Sequence, residues 1–217
     1  MLVFDFCEDT SLEAYNDLYK KIETLDISVL VNNVGIALPT ERSPVQVYRE
    51  IAANCYPVVL LTQQLVGKFE ERFSKNKNRS IIINLSSQAA LMPMPHFKNY
   101  SATKVFDDFF SKGLFYEMRA KGVDVLSVQP GMVATAMTRR KEDIYKMIIT
   151  PEDCARGALD KATGFQVYGG TAHEIMGLVA KCLVVDLLPT TLALKLGAIA
   201  GKKFVDEQTK LFKDKKE

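Results

Sequence analysis

The sequence predicts an α/β fold built on a parallel sheet, and three observations carry that prediction. Short, nearly unbroken apolar runs at residues 2–6, 27–31, 80–85 and 123–128 have the composition of strands buried on both faces. Amphipathic stretches between them open on capping signals, at Thr10-Ser-Leu-Glu13, Ser43-Pro44-Val45-Gln46 and Thr150-Pro151-Glu152-Asp153. Strand, capped helix, strand is the rhythm of a sheet whose strands are joined by helical crossovers.

In chain order, residues 2–6 form the first strand candidate, and the helix opened at Thr10 runs to about Leu25. The second strand, 27–31, leads into Asn32-Asn33-Val34-Gly35. A helix starts at Ser43 with Pro44 in its first position, and a long helix covers 51–73 and contains Asn54. Residues 74–79, basic and polar, read as a solvated turn. Strand 80–85, the stretch 86–104, a helix over 105–120 and strand 123–128 follow, ended by Pro130 and Gly131. The Thr150 signal opens a helix to about Thr163, and residues 165–168 form a short last strand closed by Gly169 and Gly170.

At 217 residues and 47% hydrophobic, the chain can bury a sizeable core in one domain. A net charge of +2 excludes a general polyanion binder, which carries a clear excess of Lys and Arg. Cys7, Cys55, Cys154 and Cys182 form no C-x-x-C pair and read as reduced core thiols of a cytosol-facing protein. His96 and His173 are the only histidines. Neither has metal-ligand spacing, so no metal site is expected. The N-terminal residues lack the basic and apolar regions of a signal peptide.

Chemistry concentrates in residues 86–104, SSQAALMPMPHFKNYSATK. Tyr100 and Lys104 stand four apart in a helical pattern, so both side chains lie on one face. An ammonium beside a phenol favours the phenolate, which a proton-transfer catalyst needs. Ser87 follows the strand 80–85, so its hydroxyl falls at the carboxyl end of that strand, where open α/β sheets bind ligands. A lone Y-x-x-x-K pair is common. NNVG at 32–35, Asn54, the serines 86 and 87, YSATK at 100–104 and PGMVAT at 130–135 in one order are not.

With these motifs the chain resembles the short-chain dehydrogenase/reductase superfamily over nearly its whole length. NNVG, the P-x-P before the tyrosine, VQPGMVATAMT and AHEI make it similar to the subgroup of 17β-hydroxysteroid dehydrogenase types 3 and 12, which includes very-long-chain 3-oxoacyl-CoA reductases. The resemblance implies a Rossmann-like doubly wound parallel sheet in which residues 2–6 are the third strand. The first two strands and the glycine-rich loop would then lie upstream of Met1, so a truncated chain is expected. Strand 27–31 would become an exposed apolar edge, and the chain alone would be unstable and bind dinucleotide poorly. Residues 1–170 are expected to form this partial catalytic domain.

The resemblance also implies roles. Tyr100 is the proton donor to a carbonyl, Lys104 supports its ionisation and holds the nicotinamide ribose, and Ser87 bonds the substrate oxygen. Asn54 completes a tetrad by positioning a water on the proton path, or else is a buried helix asparagine bonding a backbone carbonyl. Asp5, Asn32, Gly35, Pro130, Gly131, Val133 and Thr135 join Tyr100 and Lys104 as cofactor contacts, and Ser86 caps a strand end. NADP is the implied cofactor. The implied substrate is apolar, a 3-oxoacyl-CoA or keto-steroid, and the implied assembly is a homodimer. His96 lines the cleft or else is a surface or core residue, and His173 is a packing residue.

Residues 171–217 are expected to form apolar helices and a lysine-rich tail that cover the substrate cleft or lie on a membrane surface. Lys213 and Lys215 have the spacing of a K-x-K-x-x retrieval signal, in keeping with the subgroup's place at the cytosolic face of the endoplasmic reticulum membrane. A rival expectation keeps the tetrad but no dinucleotide site, making the chain a non-catalytic, membrane-associated binding or partner protein.

Overall fold

The computed structural model describes residues 1–38, 43–138, 147–160, 162 and 166–213. Its centre is a parallel four-stranded sheet of β1 (Val29–Asn32), β2 (Ser80–Leu85), β3 (Val123–Val128) and β6 (Gln166–Val167), in that spatial order. Register sets Asn32 beside Asn84 and Leu85 beside Val128, so the carboxyl ends of the strands lie along one edge.

Helices cover both faces. On one, Leu65 and Phe69 of α2 (Pro44–Asn76) and Met118 of α3 (Lys98–Met118) pack on Ile82, Val123 and Val125. On the other, Ala158 of α4 (Pro151–Asp160) packs on Ile83, Leu126, Val128 and Val167. Alternation along β2 and β3 thus feeds two cores, whereas Val29 and Val31 of β1, at the edge of the sheet, are exposed.

Capping chemistry sets several helix starts. Ser43 and Gln46 close a reciprocal box on α2, with Pro44 in the first turn. Thr150 Oγ1 accepts from Asp153 N at 3.0 Å to open α4. Pro44–Asn76 is one helix that continues through Pro57, so the separate start at Ser43 and the helix over 51–73 belong to a single element. The α3 helix ends in a 3-10 turn, Arg119–Lys121, and Gly122 at φ 79° carries the chain into β3. A Cβ there would stand 2.0 Å from Phe73 Cγ. Glycine alone satisfies both the backbone and the room.

Four expectations need correction. Residues 2–6 are not a strand: a strand persists only with a hydrogen-bonded neighbour, and among the described residues none pairs with them. Phe4 and Phe6 lie instead against Tyr15 of α1 (Leu12–Lys20), with centroids 5.2 and 6.3 Å away. The cap of α1 is Ser11, which accepts from Ala14 N, while Thr10 pairs with Tyr48. This helix stops at Lys20, not Leu25, where the chain turns through i→i+3 bonds and Lys68 Nζ donates to the Leu25 carbonyl at 3.0 Å. Finally, the segment after β3, in which the sequence predicts no strand, contains a short parallel ladder of β4 (Met132–Val133) and β5 (Ile148–Ile149). The end expected for α4 near Thr163 falls outside the described residues.

At the C-terminus, α5 (Thr171–Val179) passes through π-helical turns, Ala180–Leu187, before α6 (Thr190–Lys213). No helix among the described residues is long and apolar enough to cross a membrane. A face of small residues on α6 meets the loop before α3. A Cβ on Gly197 would be 3.3 Å from Met92 Cε and Pro95 Cδ, and one on Gly201 would be 2.5 Å from the Pro95 carbonyl oxygen.

Candidate active site

The site is assembled from the carboxyl ends of β1, β2 and β3 and the helices behind them. Its centre is Lys104, whose side chain is 5% exposed. Three elements hold it. The Leu85 carbonyl at the end of β2 accepts from Nζ at 2.7 Å, and Asp107, one turn on in α3, accepts through Oδ2 at 2.9 Å. From the backbone side, the Ser86 hydroxyl donates to the Lys104 carbonyl at 2.7 Å. Tyr100 is half-buried, and its ring centroid lies 5.8 Å from Lys104 Nζ. The helical spacing read from the sequence brings the two side chains together.

Asn54, fully buried in α2, reaches the loop after β1. Its Oδ1 accepts from Ile36 N at 2.8 Å, while Nδ2 donates to the Ile36 carbonyl at 3.0 Å and to Thr103 Oγ1 at 2.9 Å. One amide thus ties the loop to α3. Gly35 packs between them: a Cβ there would be 3.3 Å from Asn54 Oδ1 and 3.5 Å from Lys104 Nζ.

Ser87 begins a 3-10 turn, and its Oγ accepts from Ala89 N at 3.1 Å. That bond uses a lone pair and fixes the oxygen, leaving the hydroxyl hydrogen to donate. The next residue, Gln88, joins this turn to the end of β3, its N–H donating to the Pro130 carbonyl at 3.0 Å. Gly131 N donates to His173 Nδ1 at 3.1 Å. The ring hydrogen therefore resides on Nε2, which faces the Met147 carbonyl at 3.3 Å. Burial holds the His173 imidazole below its ordinary range, so it is neutral.

Other candidates stand elsewhere. Asn32 is buried, its amide donating to Asn84 Oδ1 at 2.8 Å, and Asn84 in turn donates to Ser111 Oγ at 2.9 Å. This ladder ties β1, β2 and α3 together beneath the site. Asp5 is exposed in the N-terminal turn and accepts from Cys7 N at 2.9 Å. Val133 lies in β4, half-buried, and Thr135 beyond it is exposed. His96 is half-buried just before α3, at a left-handed φ of 71°. Among the described residues, no cluster of three or more His, Cys, Asp or Glu side chains could hold a metal ion.

The sequence reading missed two residues around Lys104. Thr103 anchors Asn54. Asp107 lies three positions beyond Lys104, a spacing that signals a helical ion pair, but nothing in the sequence marks it as buried.

Charge and room decide what this arrangement can hold. With two of the three Lys104 donors taken, one remains, and the side-chain-free Gly35 leaves space beside it. A ribose hydroxyl fits there, so the residues match the nicotinamide–ribose end of a dinucleotide. Residues 1–34 contain no glycine, so they offer no glycine-rich turn to a pyrophosphate.

A parallel sheet flanked by helices, with a helical tyrosine–lysine pair at its carboxyl edge, is the arrangement the chain presents. The chain belongs to the short chain dehydrogenase family, whose model matches residues 2–146. It is 33% identical over 193 residues to 17-beta-hydroxysteroid dehydrogenase type 3 of Danio rerio, covering 84% of this chain and 60% of that protein. To very-long-chain 3-oxoacyl-CoA reductase of Homo sapiens it is 34% identical over 197 residues, covering 84% and 59%. The chain thus matches about 60% of the length of these relatives. Among solved structures, a short chain dehydrogenase from Burkholderia cenocepacia J2315 in complex with NADP superposes with a TM-score of 0.67 at 21% identity, covering 84% of this chain and 76% of that one. That likeness establishes the fold.

Proposed function

We propose that the chain carries the proton-transfer half of an NADP(H)-dependent oxidoreductase that reduces a keto group of an apolar substrate, a 3-oxoacyl-CoA or a keto-steroid. The observation that carries this reading is the buried Lys104 ammonium, fixed by the Leu85 carbonyl and set 5.8 Å from the centroid of the Tyr100 ring. The names of the two relatives supply the substrate classes, and the NADP complex of a structural relative supports the cofactor.

When bound, the nicotinamide supplies a hydride to the carbonyl carbon; the chain's own residues manage the oxygen. As negative charge develops there, Ser87 donates its free hydroxyl hydrogen and Tyr100 transfers its phenolic proton. Lys104 stabilises the resulting phenolate and offers its remaining N–H to the ribose. Asn54 holds the loop around Gly35 at the distance this requires. Gly131, latched by His173, and Pro130, held by Gln88, would flank the nicotinamide, with Val133 and Thr135 further along the segment. Asp5 and Asn32 are the weakest of the proposed cofactor contacts, the first exposed outside the cluster and the second bonded inside the sheet.

Packing of α6 on residues 92–96 supports residues 171–217 as a cover over the cleft. Exposed Phe106, Phe109 and Tyr116 on α3 support a homodimer through this face. Residence at the cytosolic face of the endoplasmic reticulum membrane is part of the same reading and rests on the relatives and the lysine spacing of the tail. The rival reading is a non-catalytic, membrane-associated binding or partner protein that keeps the tyrosine–lysine pair but binds no dinucleotide.

The deciding experiment is NADPH oxidation with a 3-oxoacyl-CoA and with a keto-steroid, by the 217-residue chain and its Tyr100→Phe variant. Turnover abolished in the variant, with cofactor affinity kept, is the expected result. Equal turnover in the variant overturns the role of Tyr100, and failure of the parent chain to bind NADPH favours the rival.

A further inference from the structure

Asp107 is a carboxylate in an unusual place. Its side chain is 1% exposed, yet it stands in α3 one turn beyond the Lys104 of the proton-transfer pair. Oδ2 accepts from Lys104 Nζ at 2.9 Å, whereas Oδ1 is buried and has no partner. A buried carboxylate with one oxygen unsatisfied is costly, and no core requirement calls for it, because an apolar side chain of similar volume would fill the site.

The titratable groups facing it are few. On its own helix these are Lys104 and Asp108, and on α2 the group is Cys55. Asp108 is turned away, to Ser127 Oγ at 2.8 Å and Lys112 Nζ at 2.6 Å. Burial pushes the Cys55 thiol up to about 12, so it stays neutral. From β2 only the Leu85 carbonyl, which carries no titratable proton, reaches the pair. Asp107 is therefore the one counter-charge in hydrogen-bond contact with Lys104 among the described residues.

We propose that Asp107 is a positioning residue for the proton-transfer pair: its carboxylate holds Lys104 against the Leu85 carbonyl and, by offsetting the ammonium, sets how readily Tyr100 gives up its proton. This rests on the reading of Tyr100 and Lys104 as the reacting pair. Two of three ammonium donors are pinned by fixed acceptors, so the third has a defined direction. The charge effect has a definite sign. An ionised Asp107 cancels part of the field that favours the phenolate, and a protonated Asp107 leaves that field whole. Burial pushes the Asp107 carboxyl up to about 6 despite the neighbouring ammonium, so the change falls within the working range of an enzyme.

The test follows Tyr100 directly, without substrate or cofactor. The 217-residue chain is labelled with 13Cζ-tyrosine in a His96→Gln background, which removes the imidazole nearest in sequence, and the Tyr100 resonance is identified by its loss in Tyr100→Phe. The resonance is expected to show an inflection near the ionisation of Asp107, absent in Asp107→Asn and kept in Asp107→Glu. Phenol ionisation is expected to move down by about one pH unit or more in Asp107→Asn. A resonance flat through that range in the Asp107 parent overturns the proposal, even where Asp107→Asn does not fold. Unchanged phenol ionisation in a folded Asp107→Asn overturns it as well. Failure of the oxidoreductase reading shows in the NADPH assay instead, and leaves this titration as it stands.

Discussion

His173 Nδ1 accepts the Gly131 N–H at 3.1 Å, and its other ring nitrogen faces the Met147 carbonyl at 3.3 Å. One fully buried ring thereby joins α5 to the segment leaving β3 and to the residue entering β5. Gln88 adds a third attachment by donating to the His173 carbonyl at 2.7 Å.

Replacing His173 with Phe fills the space but removes the acceptor of the Gly131 N–H and the tie to the Met147 carbonyl. The expected loss is about 1–3 kcal/mol of folding stability, read from urea unfolding. A variant as stable as the parent would mean that the ring is only a spacer.

The same ring gives a pH dependence. Burial lowers its folded pKa below the unfolded value of about 6.5, so below that pH the unfolded chain takes up a proton that the folded chain refuses. The stabilising contribution is complete above about 6.5 and is lost as pH falls from there through the folded value. Between pH 7 and about 5.5, the urea midpoint of the parent is expected to fall more steeply than that of His173→Gln.

Asn84 and Arg79 provide a contrast in magnitude. Asn84→Ala removes the short acceptor of the Asn32 amide, which keeps only a longer bond to Thr62 Oγ1, and the donor to Ser111 Oγ, which keeps its bond to the Asp107 carbonyl; the expected cost is about 1–3 kcal/mol. Arg79→Ala breaks two bonds to Asp124, but these side chains are 46% and 39% exposed. Its expected cost is at most about 1 kcal/mol in the same denaturation assay.

Gly122→Ala combines a left-handed backbone with a collision against the inner atoms of the Phe73 ring, which cannot swing aside cheaply. An expected loss above about 2 kcal/mol follows, seen as a lowered urea midpoint.

Gly201→Leu drives a side chain into the Pro95 carbonyl. Hydrogen exchange is expected to quicken in residues 92–97 and in α6 while β2 and β3 keep their protection. Unchanged exchange in that loop would show that α6 does not restrain it.

Much of this molecule was legible in the sequence because parallel strands buried on both faces leave an unmistakable mark. Residues 80–85 and 123–128 form the two central strands at the expected bounds. Helix starts were equally plain at Ser43 and Thr150, where the capping atoms act locally. What failed depended on partners distant in sequence. Residues 2–6 have strand composition without a strand beside them, and α1 ends where Lys68, from another helix, engages the chain. At the site, Tyr100 and Lys104 were visible as a spacing on one helix. The latch through His173 was not, because it joins residues 131, 147 and 173 across three elements.

The seat of α6 on residues 92–96 has a genomic consequence. A gene fragment ending before Thr190 would still encode every letter of YSATK, and any comparison of motifs would score it complete. The polypeptide would nonetheless lack the helix on which the turn before Tyr100 leans. For this chain, the motif and part of the packing that supports it are written about a hundred residues apart in the same reading frame.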